Sequence, residues 1–216
     1  MHATRILIGY SKLNGAEFIP HLDTLRHFIK TIRRMGININ YSQGFNPHML
    51  IYMSSPIALG LKSESEYCLF DTDYKGDDFK ELFNKNSLKG IRCEDVYFVD
   101  KKVGVASDIT SAVYEIYGIN DFDVNEILSN ENFTVFDKRA FKDKPARHKI
   151  KNLEQKDGKL YAELCFGNET LRPDYLIEKL LKNYGGSHPF AVKKSVKFLD
   201  GLNINEYLEN LALKNR

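Results

Sequence analysis

Residues 20–36 read PHLDTLRHFIKTIRRMG, and residues 41–48, a few positions further on, read YSQGFNPH. In the first stretch, apolar residues recur at three- and four-residue intervals, which predicts a helix from His21 to Met35 that stops at Gly36. Its buried stripe is expected to comprise Leu22, Leu25, Ile29 and Ile32. The second stretch combines turn formers, amides and aromatic rings, and it predicts an exposed loop between extended segments at 38–42 and 48–54.

Further regular segments lie on either side of this helix and loop. Strand-like patterns occur at 5–11, 66–71 and 91–99, and a helical pattern occurs at 77–84. Together with the first helix and the extended segments they give the order β-α-β-β-α-β, which is that of ferredoxin-like domains.

The second half of the chain repeats this layout. Its strand-like segments are 112–119, 133–137, 159–167 and 193–199, and its helical segments are 124–129, 173–184 and the tail 205–216. Asp157-Gly158 is a hairpin-turn signal, and Pro173 suits the first turn of a helix that Gly185 would end. We therefore expect an α+β protein of two tandem ferredoxin-like halves with antiparallel sheets. Residues 1–104 carry the 41–48 loop, and residues 105–216 carry a basic ribbon and the C-terminal tail.

Composition and motifs argue against several classes of protein. The 216 residues are 43% hydrophobic and 28% charged, which is ordinary for a soluble globular protein. No apolar run reaches the roughly 20 residues of a membrane span, and residues 1–5 lack the apolar core of a signal peptide. We therefore expect a cytoplasmic protein with no membrane partner. Three isolated cysteines lack metal-ligand spacing, so no metal site or cofactor is expected. Helix-turn-helix, zinc-finger and P-loop patterns do not occur, which argues against a duplex-DNA partner or an NTPase.

The net charge of +2 conceals two basic regions. Residues 1–50 carry a balance of +4, and residues 138–151 carry +6. The second region is expected to form a β-loop or extended β-ribbon that binds phosphate groups. Its candidate contacts are Lys138, Arg139, Lys142, Lys144, Arg147 and Lys149. In the first region, a row of cations on the predicted helix has no acidic partner after Asp23. This row comprises Arg26, Lys30, Arg33 and Arg34. A solubilising loop and a solvated helix face are the structural alternatives.

The 41–48 loop offers polar edges and stackable rings, which suit an unstacked RNA base. Its candidate RNA contacts are Tyr41, Gln43, Phe45, Asn46 and His48. Tyr10 and Tyr52 are further stacking candidates, although aromatic residues in strands usually belong to the core.

Short motifs are dense between residues 5 and 70. They are Tyr10-Ser11-Lys12, His21-Leu22-Asp23, Arg33-Arg34, the 41–48 loop, Ser55-Pro56, Gly60, Ser63 and Glu66-Tyr67. This combination resembles the radical SAM-linked (radical SAM-associated) protein family, a bacterial domain of unknown function fused to or encoded beside a radical S-adenosylmethionine protein. Pro20 replaces the serine usual in that family, so His21 or the loop is expected to cap the helix differently. The resemblance implies a radical SAM partner, and any radical chemistry would belong to that partner because this chain has no CxxxCxxC run.

These observations favour an RNA-binding accessory module that works with a radical SAM protein in tRNA or rRNA modification, without independent enzymatic activity. Two alternatives stay open. If the loop folds over the start of the helix, His21, Asp23 and His48 would support acid–base catalysis of RNA processing or would ligate a divalent ion. The other alternative is a pure protein–protein adaptor for the radical SAM enzyme.

Overall fold

The computed structural model describes residues 5–100 and 103–213. The first four residues and the last three of the predicted tail helix therefore lie outside the described residues. The chain is a mixed α+β protein rich in antiparallel sheet. It divides into two compact units, Met1–Asp108 and Ile109–Arg216. Within the described residues, no helix is both long enough and apolar enough to span a membrane.

The described residues of unit 1 form four strands and two α-helices in the order β-α-β-β-α-β. They are β1 (Arg5–Lys12), α1 (His21–Met35), β2 (Ile51–Met53), β3 (Lys62–Asp71), α2 (Phe79–Asn86) and β4 (Ile91–Val99). β1 pairs with both β3 and β4, and β2 pairs with β3, all antiparallel. The strand order is thus β4-β1-β3-β2.

Helix α1 has the predicted bounds but buries a different face. Leu22, expected in the buried stripe, is 64% exposed, and only Ile32 of that stripe is fully buried. The buried face is instead centred on Phe28, whose ring lies 5.0 Å from that of Tyr10 and 5.3 Å from that of Phe83. Thr24 is buried on the same face because its hydroxyl donates to the Pro20 carbonyl at 3.1 Å. The packing of an aromatic ring and of hydrogen-bonded threonines, rather than the aliphatic periodicity, therefore determines which face of α1 is buried.

The ends of α1 follow from the backbone rather than from a side-chain cap. Pro20 occupies the N-cap in an extended conformation, and no side chain caps the helix there. Gly36 ends the helix with φ 71°, a left-handed conformation that glycine adopts without strain. After the helix, the predicted extended segments shorten to strand β2 and two isolated bridges, Ile39–Thr72 and Tyr41–Met49.

In unit 2, the part of the chain up to residue 213 forms six strands and three α-helices. They are β5 (Ile109–Ile119), α3 (Asn125–Leu128), β6 (Thr134–Asp137), β7 (Lys142–Pro145), β8 (Ile150–Lys156), β9 (Lys159–Cys165), α4 (Pro173–Tyr184), β10 (Gly186–Phe198) and α5 (Ile204–Leu213). Four strands pair antiparallel in the order β10-β5-β9-β8. β6 and β7 form a separate two-stranded sheet.

The turn and helix-end signals in the sequence of unit 2 coincide with turns and helix ends in the structure. Asp157 and Gly158 both have positive φ, 53° and 70°, as a tight β8–β9 hairpin requires. α4 begins at Pro173 and ends at Gly185, as predicted. β10 starts directly at Gly186, seven residues before the predicted strand. A Cβ at Gly186 would lie 2.1 Å from the Gly118 carbonyl oxygen, so glycine permits this close strand entry.

Candidate nucleic-acid interface

The basic segment of unit 2 forms a β-ribbon from β6 and β7. Thr134 pairs with Pro145 at its root and Asp137 with Lys142 at its tip. The Asp137 carboxylate accepts hydrogen bonds from the backbone N–H groups of Arg139 and Ala140, at 2.8 and 3.1 Å, and so fixes the connecting turn. The ribbon is thus an ordered projection, which agrees with one of the two forms expected from the sequence.

The four cations of the ribbon fall into two groups. Lys138 forms an ion pair with Glu178 on α4, and Lys144 pairs with Asp137 at 2.5 Å. The Glu178 carboxylate raises the pKa of Lys138, while Lys144 and the turn N–H groups hold the pKa of Asp137 well below its usual range.

The second group consists of Arg139 and Lys142. Both are exposed, and their side chains have no ion-pair or hydrogen-bond partner among the described residues. These two cations are the ones most available to phosphate oxygens.

Two cations predicted to bind RNA have internal contacts instead. Arg147 donates from Nε to the Leu128 carbonyl at 2.6 Å and from Nη1 to the Ile150 carbonyl at 3.0 Å. Lys149 pairs with Glu169 at 2.9 Å. Arg147 therefore connects the segment after the ribbon to α3, and its charge is partly used within the fold.

The ribbon also carries two aromatic rings that the sequence analysis did not assign to binding. Phe136 and Phe141 are 41% and 84% exposed, and their rings form an edge-to-face pair with centroids 5.5 Å apart. Their positions near the unpaired cations of a hairpin tip are the signal that could have revealed them. Exposed rings beside cations are typical of sites that stack bases and hold phosphates.

In unit 1, the 41–48 loop is closed by its own polar groups. The Ser42 hydroxyl lies 2.9 Å from His48 Nδ1 and accepts from the His48 backbone N–H at 3.1 Å. Phe45 is fully exposed at the tip, and its neighbours Gln43 and Asn46 are exposed as well. Tyr41 is also exposed, whereas Tyr52 is half-buried and the predicted stacking residue Tyr10 is buried in the core.

The predicted row of unpaired cations on α1 is only partly unpaired. Arg26 pairs with Asp23 at 2.7 Å, because the two lie three residues apart on the same helical face. Arg34 donates to the Asn86 carbonyl at 2.6 Å at the end of α2. Lys30 and Arg33 are exposed and have no side-chain partner among the described residues.

A small polar cleft in unit 1 collects residues that the sequence analysis did not place together. Its volume is about 20 Å³, which is room for about one water molecule. It is lined by Tyr10, Lys12, His21, Thr24, Pro56, Ile57 and Glu66. Most of these residues belong to the short motifs between residues 5 and 70. Membership of these motifs is the only sequence signal for the cleft. β1, α1 and β3 bring its residues together from distant positions in the chain, which no local pattern indicates.

The charged groups of this cleft are largely removed from water. Lys12 is 6% exposed and donates to the Ile19 carbonyl at 2.5 Å. Glu66 is 3% exposed and accepts from the hydroxyls of Ser63 and Ser54, at 2.6 and 3.0 Å. Burial lowers the pKa of both Lys12 and His21. An imidazole with a lowered pKa thus lines the same cleft as a buried lysine and a buried glutamate, and titratable groups gathered in a cleft in this way are typical of functional sites.

The structure does not bring the three residues of the predicted catalytic set into direct contact. His21 lines the cleft, Asp23 pairs with Arg26, and His48 is held by Ser42. Within residues 5–100 and 103–213, no three His, Cys, Asp or Glu side chains are grouped so that they could hold a metal ion.

Comparison with known proteins gives a family but no activity. The chain is similar to a crystal structure described as that of an unknown protein from Galdieria sulphuraria, with 11% sequence identity, coverage of 88% of this chain and 98% of that chain, and a TM-score of 0.26. No curated protein matches it. Residues 5–175 match the family model described as an uncharacterized protein conserved in bacteria, DUF2344. Since this match covers most of its length, the chain belongs to the uncharacterized bacterial family DUF2344.

Proposed function

We propose that this protein binds RNA. The observation that carries the proposal is the β6–β7 ribbon, where Arg139 and Lys142 are exposed and unpaired among the described residues. The same ribbon exposes Phe136 and Phe141. A ribbon that only had to be soluble would have no need of a solvent-exposed aromatic pair, since exposed rings favour association.

RNA fits this surface better than duplex DNA because the two ribbon features serve different parts of a single strand. Cations bind the phosphate backbone and release its counterions. Phenylalanine rings stack on unpaired bases, at about 1–3 kcal/mol per stacked base. Bases inside a duplex are not available for such stacking, whereas loops and single-stranded RNA segments expose them.

A second surface in unit 1 has the same chemistry. Phe45 projects from the closed 41–48 loop, and Lys30 and Arg33 are exposed on α1. We propose this loop and helix as a second RNA-contacting surface. Arg26 and Arg34 are weaker candidates because both already have protein partners.

The proposed fold agrees with this function. In unit 1 the strand order is β4-β1-β3-β2, and in unit 2 it is β10-β5-β9-β8. Numbered within each unit, both sheets have the order 4-1-3-2 once the ribbon is set aside. We propose that both units are ferredoxin-like, an architecture that several RNA-binding modules share.

Charge reversal on the ribbon tests the proposal directly. The double variant Arg139→Glu, Lys142→Glu should lose retention of bulk tRNA in a gel-shift assay. Both side chains are exposed and have no ion pair or hydrogen bond among the described residues, so the variant should still unfold cooperatively. The matched control is Lys62→Glu, Lys89→Glu, which makes the same change of charge at exposed positions of unit 1. Equal tRNA retention by the ribbon variant and the wild type would overturn the proposal.

The radical SAM partner and a role in tRNA or rRNA modification are proposed on the resemblance of the short motifs alone. The expected result is co-purification with a radical SAM protein of the same organism. If the protein is an RNA-binding accessory module, nuclease treatment should weaken that association. An association that withstands nuclease, together with no RNA retention by the isolated chain, would support the adaptor alternative instead.

The unit 1 cleft favours acid–base catalysis as a second candidate function. His21 and Glu66 line this cleft beside Lys12, whereas Asp23 and His48 have other partners. If the isolated chain processes RNA, His21→Gln and Glu66→Gln should each abolish that activity while tRNA binding persists. His48→Gln should have little effect. An isolated chain that leaves RNA unchanged, with or without Mg²⁺, would exclude this function.

A further inference from the structure

A second cleft lies at the root of the β6–β7 ribbon in unit 2. It is bounded by α3, by the segment that leads into β6, and by the end of α4. Its volume is about 210 Å³. This is smaller than the usual pocket for a drug-sized ligand, and it limits an occupant to a group about the size of a single nucleobase.

Most residues in the walls of this cleft are polar, and three of them are asparagines. Asn130, Asn132 and Asn183 all line it. The side-chain Oδ1 of Asn130 accepts a hydrogen bond from the backbone N–H of Asn132 at 3.0 Å, so this amide is partly used in the local turn. The side-chain amides of Asn132 and Asn183 have no hydrogen-bond partner among the residues that the structure describes. Each amide offers one acceptor and two donor hydrogens side by side.

The remaining polar groups and the aromatic floor are engaged with one another. Lys179 Nζ lies 6.0 Å from the centroid of the Phe133 ring. Glu126 accepts a hydrogen bond from the Tyr184 hydroxyl at 2.9 Å. Tyr184 itself stacks on Phe122, with centroids 4.4 Å apart. The cleft is therefore held in shape by its own contacts, and the two free amides are the groups left for a ligand.

The position of the cleft connects it to the ribbon. Thr134, which lines the cleft, is the first residue of β6. A strand of four residues spans only about 13 Å, so the unpaired cations at the tip lie a few nucleotides from the cleft along a bound strand. An RNA strand held by Arg139 and Lys142 is thus long enough to reach the cleft.

We infer that this cleft binds one unstacked nucleobase of the RNA strand that the ribbon holds. An asparagine amide pairs with the edge of adenine through two hydrogen bonds, so adenine is the base that the free amides fit best. This inference rests on the proposed RNA binding and deepens it. It assigns base recognition to Asn132 and Asn183, and it assigns backbone affinity to the ribbon cations.

The test compares two oligonucleotides that differ only in their bases. Fluorescence anisotropy would measure the binding of a ten-nucleotide oligoadenylate and of an oligouridylate of the same length and charge, since both strands offer bases for the phenylalanine rings to stack on. The wild type should bind oligoadenylate at least tenfold more tightly. The variant Asn132→Ala, Asn183→Ala should lose most of this preference and keep its affinity for oligouridylate. Asn152→Ala, Asn205→Ala alters two exposed asparagines outside the cleft and should behave as the wild type.

Each outcome has a defined meaning. If the cleft variant keeps the full preference for oligoadenylate, the inference is wrong. If the wild type binds both strands equally and loses both upon ribbon charge reversal, RNA binding stands and the base site is refuted. If the wild type binds neither strand, both the inference and the proposed function fail.

Discussion

The salt dependence of RNA binding should fall when the unpaired cations of the ribbon are neutralised. The perturbation is the double variant Arg139→Gln, Lys142→Gln, which removes two positive charges and preserves polar side chains of similar length. Only these two ribbon cations lack an ion-pair partner among the described residues, whereas Lys138 and Lys144 are paired with carboxylates. Arg139 and Lys142 should therefore make the ribbon's direct phosphate contacts.

The expected magnitude follows from counterion release. Each phosphate contact on a single strand contributes about 0.7 to the slope of log K against log salt concentration, so two contacts contribute about 1.4. Between about 50 and 200 mM salt, that slope corresponds to a roughly sevenfold change in affinity. The ratio of wild-type to variant affinity should therefore shrink by about sevenfold over this range.

Fluorescence anisotropy with a labelled single-stranded RNA, at five or more salt concentrations, measures both slopes. Lys62→Gln, Lys89→Gln loses the same charge at exposed positions of unit 1 and controls for the overall charge of the protein. Identical slopes for the wild type and the ribbon variant would refute direct phosphate contact. Equal decreases for the ribbon and control variants would show that net charge alone is responsible.

Three further predictions concern the fold that presents these surfaces. Phe28→Ala should lower the free energy of unfolding by about 3–5 kcal/mol in urea denaturation, because the ring is fully buried, whereas Leu22→Ala should change it little. Arg147→Gln should cost about 1–3 kcal/mol in the same assay, since it leaves two carbonyls without their charged donor; no loss would mean that water replaces these bonds. His27 Nε2 accepts from the Leu88 backbone N–H at 3.4 Å, and burial lowers its pKa. Between the lowered pKa of folded His27 and its ordinary value of 6.5, the unfolded chain binds more protons than the folded chain. The contribution of His27 to stability should therefore be complete above pH 6.5 and decline as the pH falls below that value. Thermal melts of His27→Gln should show a weaker pH dependence than the wild type, and equal dependence would contradict the assignment.

The bounds of several elements were predictable because their signals are local. α1, α4 and β4 have the predicted ends, and each helix stops at a glycine with positive φ. The Asp157-Gly158 hairpin turn was predictable for the same reason. Few residue types, glycine above all, adopt positive φ angles at low cost, so a short stretch of sequence suffices to specify these turns and helix ends.

The roles of individual side chains were less predictable. The sequence shows that residues 138–151 are basic, but only the folded ribbon separates the free Arg139 from Arg147, which is hydrogen-bonded to backbone carbonyls. Similarly, α1 is helical as its periodicity predicts, but packing against Tyr10 and Phe83 determines that the face containing Phe28 is the buried one. Availability for binding depends on which partners lie within about 3 Å, and a partner on another element, such as Glu178 for Lys138, is not indicated by spacing along the chain.

The sequence by itself determined the helices, the turns, the antiparallel α+β character and the location of the basic segments, because these depend on neighbours along the chain. The tertiary structure alone decided that Lys12, His21 and Glu66 share one cleft, and that Asn132 and Asn183 face another. Such groups come from separate strands and helices. Their meeting is set by strand register and helix packing, which involve the whole unit at once.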